Sequence, residues 1–313
     1  MGNEVIVKAK QADGVFRSLT VDSSDKLFTT DTTTTAAITA TTGTTASTIA
    51  TTDSAKRSRI VNDFNLDVAT GLFTGKAVAR KFGANGTVGT TEEIIWSDSG
   101  VYAGFLSTAV AVRIKAGGDV ADSGNSGGAG CREVTVSGLD ETWTEATETI
   151  TTDGATVSAA TTITFIRVNR LFVSSSGTYS ASGLGGTNEA DITVETTGGV
   201  DLATIPAKDG QTTIGFYTVP VGKTLYVDEV IIGVAGLKPA TVKMFQRLDA
   251  DDTTVPVQGR RLVSNFGELS GNVVIPYKYT ISFPEKTDII FTGMAATGSS
   301  KVFVEWYSIL VDN

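Results

Sequence analysis

The chain has 313 residues, of which 41% are hydrophobic, 19% are charged and 34 are glycine; that is length for one large or two ordinary β-type domains, with a composition tilted away from helical proteins. It has no histidine and a single cysteine, Cys131, which excludes Ser-His-Asp and Cys-His catalysis, histidine metal sites and an internal disulfide. The net charge of -9 disfavours nucleic acid, whose phosphates require a surplus of Lys and Arg.

Residues 1–73 read as an N-terminal arm and connector. Val5-Ile6-Val7-Lys8 and the run from Phe16 to Val21 flank Asp13-Gly14, a hairpin signal. Between 29 and 52, 14 of the 24 residues are Thr and most of the rest are Ala. Thr favours extended backbone, but this tract holds too few large apolar groups for a core of its own, so either it is disordered or a partner orders it. Residues 54–90 then carry six basic side chains, Lys56, Arg57, Arg59, Lys76, Arg80 and Lys81, against two acidic ones. A basic segment on an acidic body suits docking onto an acidic neighbour, such as another copy of the chain. A solvated basic loop fits the same composition.

Residues 74–200 read as a first β-sandwich. Ala111-Val112-Arg113-Ile114-Lys115, Glu133-Val134-Thr135-Val136-Ser137 and Glu148-Thr149-Ile150-Thr151 alternate apolar with polar, as strands with one wet face do. The stretch 196–209, with Gly198-Gly199 and Pro206, reads as the boundary. Residues 201–313 read as a second, jelly-roll-like sandwich of roughly eight strands, with turns at Pro220-Val221-Gly222-Lys223 and Pro284-Glu285-Lys286. Its last strand is apolar on both faces. Phe303, Trp306, Tyr307, Ile309 and Val311 are the candidate subunit interface; a central strand would explain the same pattern.

Several short motifs occur in order from Arg80 onward: Arg80-Lys81-Phe82-Gly83-Ala84-Asn85, Glu92-Glu93-Ile94-Ile95-Trp96, Val134-Thr135-Val136-Ser137-Gly138-Leu139-Asp140 and Phe165-Ile166-Arg167-Val168-Asn169-Arg170. They continue with Gly185, Thr187 and Asn188 followed by Asp191-Ile192-Thr193, then Tyr217-Thr218-Val219-Pro220-Val221-Gly222-Lys223-Thr224 and the terminus Ile309-Leu310-Val311-Asp312-Asn313. In this order and spacing the chain resembles a family of virion structural proteins of aquatic tailed bacteriophages. The resemblance implies a structural component with no catalytic residues and no cofactor. It points to a head decoration or head fibre, with a neck or tail component as an alternative, that assembles in the host cytoplasm.

Other chemistry is weaker. Asp122-Ser123-Gly124-Asn125-Ser126-Gly127-Gly128 resembles a serine nucleophile loop superficially, but Ser126 has no histidine base and the flanking residues read as a flexible loop. Asp249, Asp251 and Asp252 offer oxygen ligands without the spacing of a calcium loop, and a solvated turn accounts for them. Glu92-Glu93 and Asp140-Glu141 can be paired acids only if the fold brings them face to face. Trp143, among Glu141, Thr142, Thr144 and Glu145, can stack on a sugar, the mark of a receptor- or carbohydrate-binding module at a fibre tip; a packed hairpin tip is the structural alternative. No run is long and apolar enough for a membrane helix and the start shows no signal h-region. The expected chain is therefore a non-enzymatic, all-β homo-oligomer, a trimer by preference, whose partners are itself and other virion proteins, with no nucleic acid and no membrane.

Overall fold

The computed structural model describes residues 64–313 except 125–128, 180–184 and 237, together with the backbone of four short strands nearer the N-terminus. Those four form two antiparallel pairs. Strand β1 (Val7–Lys10) pairs with β2 (Phe16–Leu19), and β3 (Thr39–Thr41) pairs with β4 (Ala46–Thr48). The chain separates into two units, Met1–Phe64 and Asn65–Asn313.

Beyond the single short helix, α1 (Phe64–Ala69), every described element of the larger unit is a strand. A six-stranded sheet runs β12-β11-β7-β10-β8-β9, built from β7 (Val110–Ile114), β8 (Cys131–Asp140), β9 (Glu145–Thr151), β10 (Thr164–Ser176), β11 (Ile192–Thr196) and β12 (Asp201–Ile205). Strands β7 and β10 meet only at Thr164 and Phe165. The halves on either side of that junction contribute to one apolar cluster: Val112, Ile114, Val194 and Leu202 from one, Val134, Val136, Phe165 and Leu171 from the other. The period-2 pattern read in the sequence places these residues on a common face.

Two further sheets sandwich a second cluster. One is β17-β14-β19-β5, from β5 (Lys76–Val88), β14 (Lys223–Ala235), β17 (Gly271–Phe283) and β19 (Ser300–Asp312). The other is β13-β18-β15-β16, from β13 (Phe216–Thr218), β15 (Ala240–Arg247), β16 (Arg261–Leu269) and β18 (Asp288–Ala295), with β6 (Glu93–Ile94) also paired to β18. Between them lie Val230, Ile232, Val242, Phe283, Phe291, Val304 and Trp306, all fully buried.

Two features of this arrangement differ from the linear division of the chain. Strands β5 and β6 fall within residues 74–200, yet β5 pairs with β19 from Lys76↔Val311 to Ser300↔Val88, and β6 pairs with β18. The stretch 196–209 is a hairpin rather than a linker: Gly199, at φ 87°, turns β11 into β12. Local pattern identifies strands but not their partners. Here Ile214, Phe216 and Ile290 complete the cluster of the six-stranded sheet, so apolar packing runs across the expected division.

Candidate assembly surface

The sheet β17-β14-β19-β5 presents one face to the core and the other outward. Because Val302, Val304 and Trp306 point into the cluster, Phe303, Glu305 and Tyr307 must point out. Register sets the outward rows across the strands. Val274, Ile231, Glu305 and Phe82 form one row, and Pro276, Glu229, Tyr307 and Arg80 the next. Phe303 is half-buried over Gly233 directly opposite, where a Cβ would collide with the ring. Val78, Val274 and Tyr307 are 47%, 55% and 38% exposed, so this face is apolar in part and wet.

Sequence-expected residues from both groups meet here. Arg80 and Tyr307 are cross-strand partners, as are Lys76 and Val311. Arg80 forms an ion pair with Glu305 and lies 5.8 Å from the Tyr307 ring centroid. Arg80 holds the Glu305 carboxyl below the usual carboxylate range through their hydrogen bond. Lys76 stands 5.3 Å from the Phe73 ring. Trp306, grouped with the interface candidates, is in the core, stacked on Phe291 at 4.8 Å, because strand alternation turns it inward. Ile309 is also buried, at 8% exposure. Val311 is partly buried near the strand's end. Lys56, Arg57 and Arg59 lie outside the described residues.

Lys81 takes a different place. Its cross-strand partner is Trp306, and its ammonium donates to the backbone carbonyl of Asn169 on β10. Burial, with the nearby Arg170 charge, pushes it down to about 7. Lys81 therefore fastens the edge of β5 to the six-stranded sheet and is not a docking cation.

That junction holds the side chains whose roles were least visible in sequence. Arg167 is 1% exposed and makes two hydrogen bonds, each 3.0 Å, to Asp288, itself 1% exposed. It also donates to the carbonyls of Leu106 and Ile166 at 2.8 and 2.9 Å. Thr218 Oγ1 donates to Asp288 at 2.6 Å. The guanidinium lies 5.3 Å from the Phe105 ring and 5.0 Å from the Trp143 ring. A planar, delocalised cation suits such a slot, with carboxylate in plane and aromatics on its faces. Arg167 was legible only as part of a motif.

The same packing decides Trp143. It sits at the β8–β9 hairpin tip in the left-handed region, φ 65°, but is 8% exposed, so the ring covers Arg167 rather than offering a sugar platform. Asp140 accepts the Thr142 and Thr144 amides at 2.8 and 3.1 Å and shapes that tip.

Five of the other acids singled out in the sequence are each engaged separately. Glu92 pairs with Lys243 and accepts from Thr292. Glu93 caps the Gly89 amide at 2.7 Å. Asp249 accepts from Gln258, Asp251 pairs with Lys286, and Asp252 accepts the Thr254 amide. Among the described residues, no three His, Cys, Asp or Glu side chains gather as a metal set.

Asp122, buried at the start of the suspected nucleophile loop, accepts the amides of Cys131, Glu189 and Ala190 at 2.7 to 2.9 Å and pins neighbouring loops. Ser126 lies outside the described residues. Cys131 is buried, and burial pushes its thiol up to about 12, which makes it inert as a nucleophile. Comparison with known proteins gives no match, either to family models or to curated proteins.

Proposed function

We propose that this chain is a non-enzymatic structural subunit of a tailed-phage virion, a head decoration or head-fibre component, with the neck or tail as the second position. The observation that carries it is the outward face of β17-β14-β19-β5. It is a broad sheet surface of Val78, Phe82, Ile231, Val274, Phe303 and Tyr307 beside a central ion pair, suited to burial against another protein. The ordered motifs from Arg80 to Asn313 supply the phage assignment.

The acidic body keeps free subunits apart until a lattice offers complementary sites. A trimer on a symmetry axis is the expected copy number. The buried Trp143 weighs against a glycan-binding fibre tip.

Gold-labelled antibody against the chain, applied to purified particles, tests the reading. Label over the head is expected. Label confined to the tail defeats the head placement, and a chain absent from particles by mass spectrometry defeats the virion reading.

A further inference from the structure

A groove of about 460 Å³ crosses the outward sheet face, lined among others by Val78, Asp228, Glu229, Pro276, Tyr307 and Ile309. It lies where β14 slips register between Val227 and Glu229 against both β17 and β19. Against β19 the extra residue is Asp228, whereas against β17 the surplus lies on the partner strand, where Tyr277 to Thr280 face Asp228. Neither Asp228 nor Glu229 has an ion-pair or hydrogen-bond partner among the described residues. Other acids of this sheet do: Glu305 is held by Arg80 and Asp312 by Lys223. Part burial holds the Asp228 carboxyl above the usual carboxylate range, the mark of an anion short of both water and a counter-charge.

The chain itself supplies a matching group. Of the six basic residues between 54 and 90, three are already engaged in the body, Lys76 over Phe73, Arg80 on Glu305 and Lys81 on Asn169. The other three, Lys56, Arg57 and Arg59, are followed directly by Ile60 and Val61. Cations leading into two β-branched apolar residues match a groove with two free carboxylates and walls of Val78, Pro276 and Ile309.

We propose that the groove beside the β14 bulge receives the basic segment 56–61 of a second copy of this chain. The contact is heterologous, so each copy gives one segment and accepts one, and a ring forms where the rotation between copies closes. The proposal deepens the structural-subunit reading and rests on it for the presence of neighbouring copies.

Charge reversal in the full-length chain tests it by sedimentation velocity. One variant carries Asp228→Lys and Glu229→Lys, the other Lys56→Glu, Arg57→Glu and Arg59→Glu. Each alone is expected to weaken self-association at least about tenfold, and an equimolar mixture to restore it, because each reversed element then meets its opposite.

Unfolding midpoints close to that of the parent chain establish that the variants fold. The proposal is overturned if the parent chain is monomeric at every concentration, if either variant associates like the parent, or if folded variants fail to complement. A chain missing from particles while complementation holds defeats the virion reading alone. Particle incorporation without complementation defeats this contact alone.

Discussion

Two arginine–carboxylate pairs, alike in chemistry, mark opposite regions of the molecule. Arg167–Asp288 joins the six-stranded sheet to β18 with side chains 1% and 2% exposed, whereas Arg80–Glu305 lies on the outward sheet face with 57% and 18%. The buried pair is clamped by two carbonyls, a threonine hydroxyl and two aromatic rings. The outer pair has water on one side. The difference teaches that the same ion pair is a structural joint in one setting and a solvated surface feature in the other, because the cost of leaving a charge unpaired depends on access to water.

Arg167→Met should separate the two regions most sharply. It strands Asp288 in the interior and is expected to cost about 3–5 kcal/mol in urea unfolding. Arg167→Met combined with Asp288→Leu should recover much of that loss, since an apolar pair leaves no orphan charge. A double variant no more stable than the single one would break the comparison.

Trp306→Ala extends the test to the apolar core and should cost about 3–5 kcal/mol, as for large aromatic deletions. Tyr307→Ala, one residue along and facing outward, should stay within about 0.5–1 kcal/mol. Equal losses would mean that the outward face is packed as tightly as the core.

Lys81 gives a pH-dependent measure of the junction. Its folded value of about 7 lies below the ordinary lysine value of 10.5. Between these limits the unfolded chain holds a proton that the folded chain releases. Stability therefore rises with pH through that window, by up to about 1.4 kcal/mol per pH unit. Lys81→Met should flatten this part of the profile in unfolding measured from pH 6 to pH 10; an unchanged slope refutes the assignment.

The smallest effect belongs to Arg80→Ala. For an exposed pair the loss should be below about 1 kcal/mol and should fade as salt rises.

Much of the strand inventory was legible from alternation. Val134-Thr135-Val136 lies in β8, and the run 301–311 lies in β19. The two short strands read on either side of Asp13-Gly14 likewise pair, as β1 with β2. These are local facts, since a period of two assigns residues to faces wherever a strand forms.

The candidate surface was legible in part. Arg80, Phe303 and Tyr307 were singled out from charge and from a doubly apolar strand, although nothing local says that residues more than 200 positions apart share a sheet. Trp306 shows the limit of that pattern, since a strand apolar on both faces does not announce which face another sheet will cover.

What the sequence by itself determined is the all-β class, the face pattern of each strand and the absence of histidine chemistry. Tertiary structure alone decided that β5 pairs with β19, that Lys81 and Arg167 are joints, that Trp143 is a lid on a guanidinium and that a bulge exposes Asp228 beside Tyr307. The physical reason is that strand partnership and desolvation depend on which distant surfaces come together, and that choice is made by the burial of the whole set of strands.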